Sequence, residues 1–316
     1  PLYEIGKKVG SIFQDPRSQF FANEVAGEIA FGCENYGYSH EDIQSHVHRA
    51  AADIKIQDIL DHSLHSLSYG MRQKVAIASA EAIDPEIYVM DEPSANLDIA
   101  STYRFADIIR DLKQQGKTII IAEHRLYYLM NLADRFLCVQ KGKIVREFTA
   151  QQMKALSNEE IRVLGLRTPD LHQIEQAEIP SAATSEVVLE VKKLNHSFGE
   201  TIVAKDVDFQ CRKGEVVALI GPNGTGKSTI GRILAGLLKE KSGEVVLFGK
   251  HCRPKGRLGK VWYIPQDLDS QLFGEDLLDE LTTGAEVSPE RKKAAEEILE
   301  ALELMPFVKQ HPSTLS

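Results

Sequence analysis

The segment GEVVALIGPNGTGKSTIGRILAGLL, residues 214–238, decides the fold that the sequence predicts. Its first part, residues 216–220, is a short apolar run rich in β-branched residues, which is typical of a buried strand. The eight residues that follow fit the pattern G-x-x-x-x-G-K-[ST]. Apolar residues then recur at helical spacing up to position 238. The segment therefore predicts a strand, a glycine-rich loop and a helix, in that order.

The residue types of this loop are those that hold phosphate groups. Glycines at positions 221, 224 and 226 let the backbone curl until several N–H groups face one anion. The N-terminus of the following helix adds partial positive charge. Lys227 is expected to reach the β- and γ-phosphates of a nucleotide, and the Ser228 hydroxyl is expected to bind Mg²⁺. The loop therefore predicts nucleotide binding.

A second segment, DPEIYVMDEPSANLD at residues 84–98, combines an apolar strand with an acidic end. The strand is predicted over residues 87–90, with Asp91 and Glu92 at its carboxyl end. Ligands bind at that edge of open α/β sheets, so one carboxylate is expected to hold Mg²⁺ and the other to polarise an attacking water. Taken alone, the acidic pair would more simply be a charged turn.

The residues after the acidic pair complete a β–α–β unit. An apolar stripe at positions 105, 108, 109 and 112 predicts an amphipathic helix that Gly116 ends. A second apolar strand at residues 118–122 leads to Glu123 and His124. Most single histidines are structural or solvated. His124 lies at the same predicted sheet edge as Glu92, which makes it a candidate for contact with a γ-phosphate.

Two stretches of the chain resemble each other. QDPRSQFF from Gln14 and QDLDSQLF from Gln266 share five of eight residues at a spacing of 252, and Glu28 matches Glu280 at the same spacing. A helix signal follows each stretch. Ser39, with Asp42 in capping-box position, predicts the start of the first helix. Ser288-Pro289 predicts the start of the second helix, whose apolar stripe is Ala295, Ile298, Leu299 and Leu302. Leu-Ser then follows at residues 67–68 and 315–316. A repeat of about 250 residues predicts that the back part of one copy is joined to the front part of another. Chance similarity is the alternative. The polar stretch at residues 168–186 is interpreted as a linker.

The composition is that of an ordinary globular protein, with 43% hydrophobic and 26% charged residues. The net charge of -9 argues against a basic nucleic-acid surface. No apolar run approaches the ~18 residues that a membrane span needs, and no signal peptide is visible. The four cysteines form no Cys-x-x-Cys pair, so neither a zinc site nor a disulfide framework is predicted. A soluble cytosolic protein, or one that a partner holds at a membrane, is expected.

Together these segments resemble the ATP-binding subunits of ABC transporters. The resemblance implies an α/β fold of the P-loop NTPase type, built as two incomplete tandem nucleotide-binding domains, each with a helical subdomain. Residues 1–150 would be the C-terminal part of the first domain, 151–186 a connecting helix and linker, and 187–316 the N-terminal part of the second. The matching motifs are the Walker A loop (221–229), the Q-loop glutamines (Gln14, Gln266), the signature loop (67–71), the Walker B strand (87–92), the D-loop (94–98), the switch histidine (His124) and the adenine-stacking aromatic (Phe198).

The resemblance also implies a role for each site residue. Glu92 is expected to be the base that orients water, and His124 the sensor of the γ-phosphate. The expected ATP contacts are Phe198, Ser68, Gly70, Gly221, Pro222, Asn223, Gly224, Thr225, Gly226, Lys227, Ser228 and Thr229. The expected Mg²⁺ contacts are Ser228, Gln266, Gln14 and Asp91.

The signature segment departs from the family pattern. Where Ser-Gly-Gly-Gln is usual, this chain has Ser68-Tyr69-Gly70-Met71. The serine and one glycine are retained, so nucleotide binding is expected to persist. Tyr69 adds bulk and Met71 removes an amide, which leaves the rate of hydrolysis open.

The stretches around Gln14 and Gln266 are similar to those of energy-coupling factor ATPases, in a tandem fusion. That resemblance implies an ATP-hydrolysing subunit at the cytoplasmic face of the membrane that powers uptake of a vitamin or metal ion. The implied partners are a transmembrane coupling protein, a membrane subunit that selects the substrate and a second ATPase domain in cis, without nucleic acid. Two alternatives are a nucleotide-binding fragment without turnover and an ABC ATPase that acts in translation or DNA repair. A further alternative is that the two parts dock into one chimeric nucleotide fold.

Overall fold

The computed structural model describes residues 2–170, 184–266, 271–283 and 288–315. The chain divides into two compact units, Pro1–Pro180 with Ile220–Thr225 and Ser181–Leu219 with Gly226–Ser316. Most of the predicted linker, residues 267–270 of the second glutamine stretch and Ser316 of the second Leu-Ser lie outside the described residues. Each unit is described by itself below.

The first unit combines a parallel sheet, a group of helices and a hairpin. Its elements are α1 (Leu2–Lys8), β1 (Val9–Ile12), α2 (Val25–Asn35), α3 (His40–Ile54), α4 (Tyr69–Glu81), β2 (Ile87–Asp91), α5 (Ile99–Gln114), β3 (Thr118–Ala122), β4 (Arg135–Gln140), β5 (Lys143–Thr149), α6 (Ala150–Lys154) and α7 (Asn158–Val163), with 3-10 turns at Pro16–Gln19, Gln57–Ile59 and Leu64–Ser66.

The three parallel strands run in the order β1-β2-β3. Ile12 pairs with Met90, and Asp91 pairs with Ala122, so all three strands end at one edge. Tyr88 and Met90 are fully buried on one face of the sheet. The predicted strands over 87–90 and 118–122 are confirmed, and the predicted helix stripe is buried on α5 at positions 105, 108, 109 and 112.

The helices α2, α3 and α4 share one apolar core with the sheet. Ser39 caps α3 by accepting a bond from the Asp42 N–H, as its sequence position predicts. The segment before α4 turns sharply through a 3-10 helix, and Ser68 caps the helix that follows. This arrangement places the N-terminus of α4 beside the residues that follow β1.

The second unit is built on an antiparallel sheet of order β7-β6-β8-β9. Its core contains Val191, Leu194, Ile233 and Val245. Its elements are β6 (Val187–Phe198), β7 (Thr201–Arg212), α8 (Lys227–Leu234), β8 (Ser242–Leu247), β9 (Lys250–His251), α9 (Pro254–Arg257), α10 (Leu277–Thr282) and α11 (Pro289–Ala301), with 3-10 turns at Met305–Phe307 and Pro312–Thr314.

The predicted strand at residues 216–220 is wrong. These residues form neither strand nor helix, and Val216 and Ile220 are 96% and 88% exposed. A buried strand of this kind needs neighbouring strands for its N–H and C=O groups and cover for both faces. None of the strands in the described ranges pairs with residues 216–220. The apolar run therefore has a strand composition without the neighbours that would stabilise one.

Two predicted helical stripes are only partly correct. After the glycine-rich loop, α8 ends at Leu234, because the chain turns at Gly236 with φ +79°. Ser288 caps α11 as predicted, and Ala295 and Leu299 on that helix are buried. The other predicted members of the second stripe, Ile298 and Leu302, are exposed.

The sequence repeat has a structural counterpart. The Glu28 carboxylate on α2 accepts bonds from the N–H groups of Phe21 and Ala22, at 2.8 and 2.9 Å. The Glu280 carboxylate on α10 accepts bonds from the N–H groups of Phe273 and Gly274, at 2.7 and 2.6 Å. These positions correspond one to one at the spacing of 252 residues, and α10 begins 252 residues after α2. In both copies, therefore, a glutamate on the helix accepts bonds from two successive N–H groups that precede the helix.

Candidate functional site

The carboxyl edge of the three-stranded sheet gathers the polar residues that the sequence singled out. Gln14 follows β1, Glu92 follows β2, and His124 follows β3 by two residues. The Glu92 N–H donates to the Ala122 carbonyl at 2.9 Å, which extends the pairing between β2 and β3 by one residue. Glu92 has a φ of +39°, a left-handed conformation that is uncommon outside glycine. The strand thus ends abruptly at Glu92.

Three of the predicted site residues lie in contact there. Gln14 Nε2 donates to Glu92 Oε2 at 3.3 Å. His124 Nδ1 lies 3.4 Å from Glu92 Oε1. The Glu92 and His124 side chains are each about one third exposed, so a ligand has access to both. The structure therefore brings an amide, a carboxylate and an imidazole together at one solvent-accessible point.

Glu123 has a different role from its neighbour, and its role was not predicted. Its side chain is 1% exposed. The carboxylate accepts bonds from the Ser94 hydroxyl, from the Tyr128 hydroxyl at 3.0 Å, and from the N–H groups of His124 and Arg125 at 2.8 and 3.1 Å. Burial and the Glu123 charge raise the pKa of Tyr128, which stays a donor. Glu123 therefore fixes the backbone that carries His124.

Arg125 holds the loop that follows Glu92. Its guanidinium donates to the carbonyls of Ser94 at 3.0 Å, Ala95 at 2.8 Å and Leu97 at 3.3 Å. The sequence gives no sign of these bonds, because the three acceptors are backbone carbonyls some 30 residues from Arg125 in the chain. The loop at residues 94–98 is thus tied to the end of β3.

Asp98 ends that loop and caps α5. Its carboxylate accepts bonds from the Ser101 N–H at 2.7 Å and from the Asn223 N–H at 3.1 Å. Asn223 belongs to residues 220–225 of the first unit, and its side-chain amide also donates to the Asn96 carbonyl at 3.1 Å. The Asn223 N–H, followed by the Ser101 bonds, lowers the pKa of Asp98 to about 2. Asn223, a predicted ATP contact, is therefore hydrogen-bonded to the Asp98 carboxylate.

The signature segment forms the start of α4. Ser68 is exposed and accepts a bond from the Met71 N–H at 3.4 Å. The Tyr69 hydroxyl donates to the Gln14 carbonyl. Burial raises the pKa of Tyr69, so the hydroxyl keeps its proton. A Cβ on Gly70 would lie 3.6 Å from Leu97 and Ser101, so the helix start packs closely on the loop after Glu92.

The three glycines of the predicted phosphate-binding loop have positive φ angles. Gly221, Gly224 and Gly226 have φ of +150°, +81° and +91°. A Cβ on Gly226 would lie 2.5 Å from the Val203 carbonyl oxygen, so only glycine fits there. Gly226 is the N-cap of α8, and the helix then begins with Lys227, Ser228 and Thr229. Upstream, the Thr225 hydroxyl donates to the Pro222 carbonyl at 2.9 Å, which closes the turn. The glycines have the positive φ angles that the sequence predicts for this loop, although the predicted strand before them is not formed.

Of the remaining predicted contacts, Phe198 and Gln266 lie in the second unit and Asp91 lies in the first. Phe198 is the last residue of β6, is 55% exposed, and meets the buried His196 ring edge-on at 4.9 Å. Gln266 is exposed. In the first unit, Asp91 is exposed at the end of β2. In the described part of the chain, no group of three or more His, Cys, Asp or Glu side chains could hold a metal ion.

Across the described ranges, no helix is both long enough and apolar enough to cross a bilayer.

The comparison with known proteins follows the motifs. The ABC transporter family model matches residues 2–95 and 204–316. A putative ABC transporter ATP-binding protein of Treponema denticola is 37% identical over 319 residues, covering 100% of this chain and 65% of that protein. The putative HMP/thiamine import ATP-binding protein YkoD of Bacillus subtilis is 29% identical, covering 99% of this chain and 62% of its own length. The chain thus spans less than two thirds of these curated relatives.

A solved structure shares the fold. It is the complex of the archaeal ribosomal stalk protein aP1 with the archaeal ribosome recycling factor aABCE1. The match covers 97% of this chain and 57% of that chain, with a TM-score of 0.57 and 22% identity. At this identity the likeness concerns the fold alone.

Proposed function

The chain belongs to the ABC transporter family and is an ATP-binding, P-loop protein, and from this premise we propose that it acts in the ATP-hydrolysing subunit of an energy-coupling factor transporter. The observation that carries the proposal is the contact of Gln14 and His124 with Glu92 at the carboxyl edge of the sheet. We propose a vitamin or a metal ion as the class of substrate. The YkoD relative, whose name refers to HMP/thiamine import, supports the vitamin.

We assign Glu92 as the base that orients the attacking water and His124 as the residue that contacts the γ-phosphate. Their separation of 3.4 Å lets the imidazole bond one carboxylate oxygen while both side chains stay accessible. Gln14 and Asp91 would both contact Mg²⁺, and Gln14 would connect the ion to the Glu92 carboxylate. Hydrolysis of this kind depends on positioning and charge stabilisation more than on covalent chemistry.

The second set of contacts would serve nucleotide bound at the glycine-rich loop. The N–H groups at the start of α8 and the Lys227 ammonium would hold the phosphates, Ser228 and Gln266 would face Mg²⁺, and Phe198 would stack on adenine. Mg²⁺ when bound would neutralise charge on the phosphate oxygens. Hydroxyl and amide oxygens are hard donors of the type that Mg²⁺ accepts.

We further propose a tandem arrangement, with residues 1–150 from one ATPase domain and residues 187–316 from a second, joined by residues 151–186. The paired glutamate turns at Glu28 and Glu280 and the two ranges matched by the family model support it. The partners would be a transmembrane coupling protein and a substrate-selecting membrane subunit. The location would be the cytoplasmic face of the membrane.

The test separates ATP binding from ATP turnover. Glu92→Gln keeps the shape of the side chain and removes the base. We expect phosphate release to fall ~10²-fold or more while binding of a fluorescent ATP analogue is unchanged. Glu34→Gln, an exposed substitution on α2, is the matched control and should match the parent in both assays. Equal turnover in the parent and in Glu92→Gln would contradict the assignment of Glu92.

A further inference from the structure

A buried histidine lies against an exposed aromatic ring at the end of β6 in the second unit. Phe198 is the last residue of β6 and is 55% exposed, so part of its ring is open to a ligand. The ring of His196 meets the ring of Phe198 edge-on, with centroids 4.9 Å apart and planes at 78°. His196 itself is buried. The imidazole therefore supports the exposed ring from the protein side.

His196 is an unfavourable residue for a core position. Both of its ring nitrogens are buried, and neither has a hydrogen-bond partner among the described residues. The core cluster of this sheet is apolar and includes Val191, Leu194 and Val245. Because a buried polar group without a partner destabilises the folded state, an apolar side chain of similar size would suit this position better. The stability of the unit therefore does not account for the imidazole.

The backbone pairing of β6 does not by itself fix the position of Phe198. The register between β6 and β7 shifts between Leu194 and His196, and it shifts again between His196 and Ser197. Such irregularities interrupt the ladder and bend the strand. Directly after Phe198 the chain turns at Gly199, where φ is +56°. The orientation of the ring at this strand end thus depends on the side chains packed against it.

The other strand of the hairpin contacts the glycine-rich loop. Ala204 on β7 pairs with His196. The carbonyl oxygen of its neighbour Val203 would lie 2.5 Å from a Cβ on Gly226, so the two backbones are in close contact. Gly226 is the N-cap of α8, where the phosphates of a nucleotide would bind under the proposed function. The hairpin therefore carries the aromatic ring on one strand and contacts the phosphate-binding segment with the other.

We propose that His196 is a positioning residue for the nucleotide base. Its imidazole holds the Phe198 ring, through a perpendicular aromatic contact, in the orientation that lets the open part of the ring stack on adenine. It does so at the point where β6 pairs with the strand that contacts the phosphate-binding segment. The inference rests on the proposed nucleotide binding and adds a residue that does not itself touch the nucleotide.

Calorimetric titrations with a non-hydrolysable ATP analogue and with inorganic tripolyphosphate separate the base from the phosphates. Tripolyphosphate offers phosphates without a base. His196→Leu should raise the Kd for the analogue by about three- to tenfold and leave the Kd for tripolyphosphate within about twofold of the parent. The variant should melt at the same temperature as the parent or higher, because two unpartnered nitrogens leave the core. His251→Leu, the same change at an exposed position of the same sheet, is the matched control and should behave as the parent.

A double-mutant cycle connects the effect to Phe198. In Phe198→Leu, analogue binding should already be weaker, and His196→Leu should add no further loss, because the ring that it orients is gone. A loss that persists in the Phe198→Leu background, or an equal loss of tripolyphosphate binding, would overturn the positioning role.

Two further outcomes separate this inference from the proposed function. An analogue Kd that is unchanged in His196→Leu but raised in Phe198→Leu would exclude His196 as a positioning residue and leave nucleotide binding intact. A parent that binds the analogue no more tightly than tripolyphosphate would contradict base stacking on Phe198 itself, and the inference would fail with it.

Discussion

His124 Nδ1 lies 3.4 Å from Glu92 Oε1, across the ends of two adjacent parallel strands. The relationship joins a residue that follows β2 to one that follows β3, more than 30 positions apart in the chain. Because Glu123 fixes the backbone of His124, the imidazole is held toward Glu92 by a carboxylate that does not itself face solvent.

Replacing His124 should lower turnover without weakening nucleotide binding. In His124→Ala, we expect the kcat for ATP hydrolysis to fall by ~10²–10³-fold, because a group that stabilises charge in the transition state is lost. The KM should change little. Steady-state phosphate release checks this, with His65→Ala, an exposed change before α4, as the control. A large rise in KM with unchanged kcat would assign His124 to ground-state binding instead.

Tyr69→Phe removes one hydroxyl and leaves the ring. The lost bond to the Gln14 carbonyl should lower the free energy of unfolding by ~1 kcal/mol. Because Gln14 also bonds Glu92, phosphate release should fall as well. Urea unfolding and the same turnover assay check both. Tyr103→Phe on α5 is the control, since Tyr103 is exposed and edge-on to Tyr127. Equal behaviour of the two variants would contradict a link between Tyr69 and Gln14.

Glu81 makes the stability of the chain depend on pH. Burial raises the pKa of Glu81 above its ordinary value of 4.5, and the carboxyl accepts a bond from the buried Tyr88 hydroxyl. The folded chain therefore binds this proton more tightly than the unfolded chain. The stability that the group contributes is complete below pH 4.5 and is lost as the pH rises through the raised pKa.

Glu81→Gln keeps an acceptor oxygen and removes the charge, so this loss of stability should disappear. Denaturant unfolding from about pH 4 to about pH 8 checks the slope. Glu86→Gln, an exposed change nearby, should keep the slope of the parent. A parent whose stability rises across this range through the Glu81 titration would contradict the sign.

In the second unit, Arg257 forms a buried ion pair. Its side chain is fully buried, and it donates to Glu240 at 2.5 Å. Arg257→Met should cost ~3–5 kcal/mol, because the Glu240 charge stays buried without its partner. The double variant with Glu240→Leu should recover much of this loss. Lys255→Met, exposed on the same short helix, should change stability by less than ~0.5 kcal/mol. Calorimetric unfolding compares the three, and an Arg257→Met variant as stable as the parent would exclude the pair as a stabilising element.

Gly226→Ala tests the backbone of the glycine-rich loop. The added Cβ would lie 2.5 Å from the Val203 carbonyl oxygen and would require a left-handed φ. We expect loss of fluorescent ATP analogue binding together with lower stability. Gly249→Ala is the control. It should lower the free energy of unfolding by only the ~1–2 kcal/mol that a left-handed conformation costs a residue with a side chain, since φ at Gly249 is +73° and the space around it is open. Analogue binding that survives Gly226→Ala would show that the loop adapts to a side chain.

Local patterns correctly predicted the segment of the first unit from β2 through α5 to β3 and the start of α3. The strand before Asp91, the buried stripe of α5 and the Ser39 cap depend on residues close in the chain, so the sequence is sufficient for them. The strand at residues 216–220 failed, because its composition indicates burial but cannot supply the neighbouring strands that produce it.

The candidate site was likewise predicted only in part. The meeting of Glu92 and His124 follows from parallel strands that end at one edge, as the sequence predicted. Gln14 follows β1, a strand that was not predicted, and only the family resemblance pointed to it. The buried carboxylate of Glu123 and the three carbonyl bonds of Arg125 depend on where side chains turn after the strands end. No sequence periodicity indicates where these side chains point, so the supporting roles of Glu123 and Arg125 were not predicted.

The three carbonyl bonds of Arg125 have a consequence for the entropy of ligand binding. Ordering a free backbone costs ~1–2 kcal/mol per residue. Residues 94–98 acquire their order when the chain folds, so under the proposed function a nucleotide at Glu92 and His124 would not have to immobilise this loop. A variant lacking the guanidinium would shift that ordering from folding to binding, and the loss would be measured as a less favourable entropy of association.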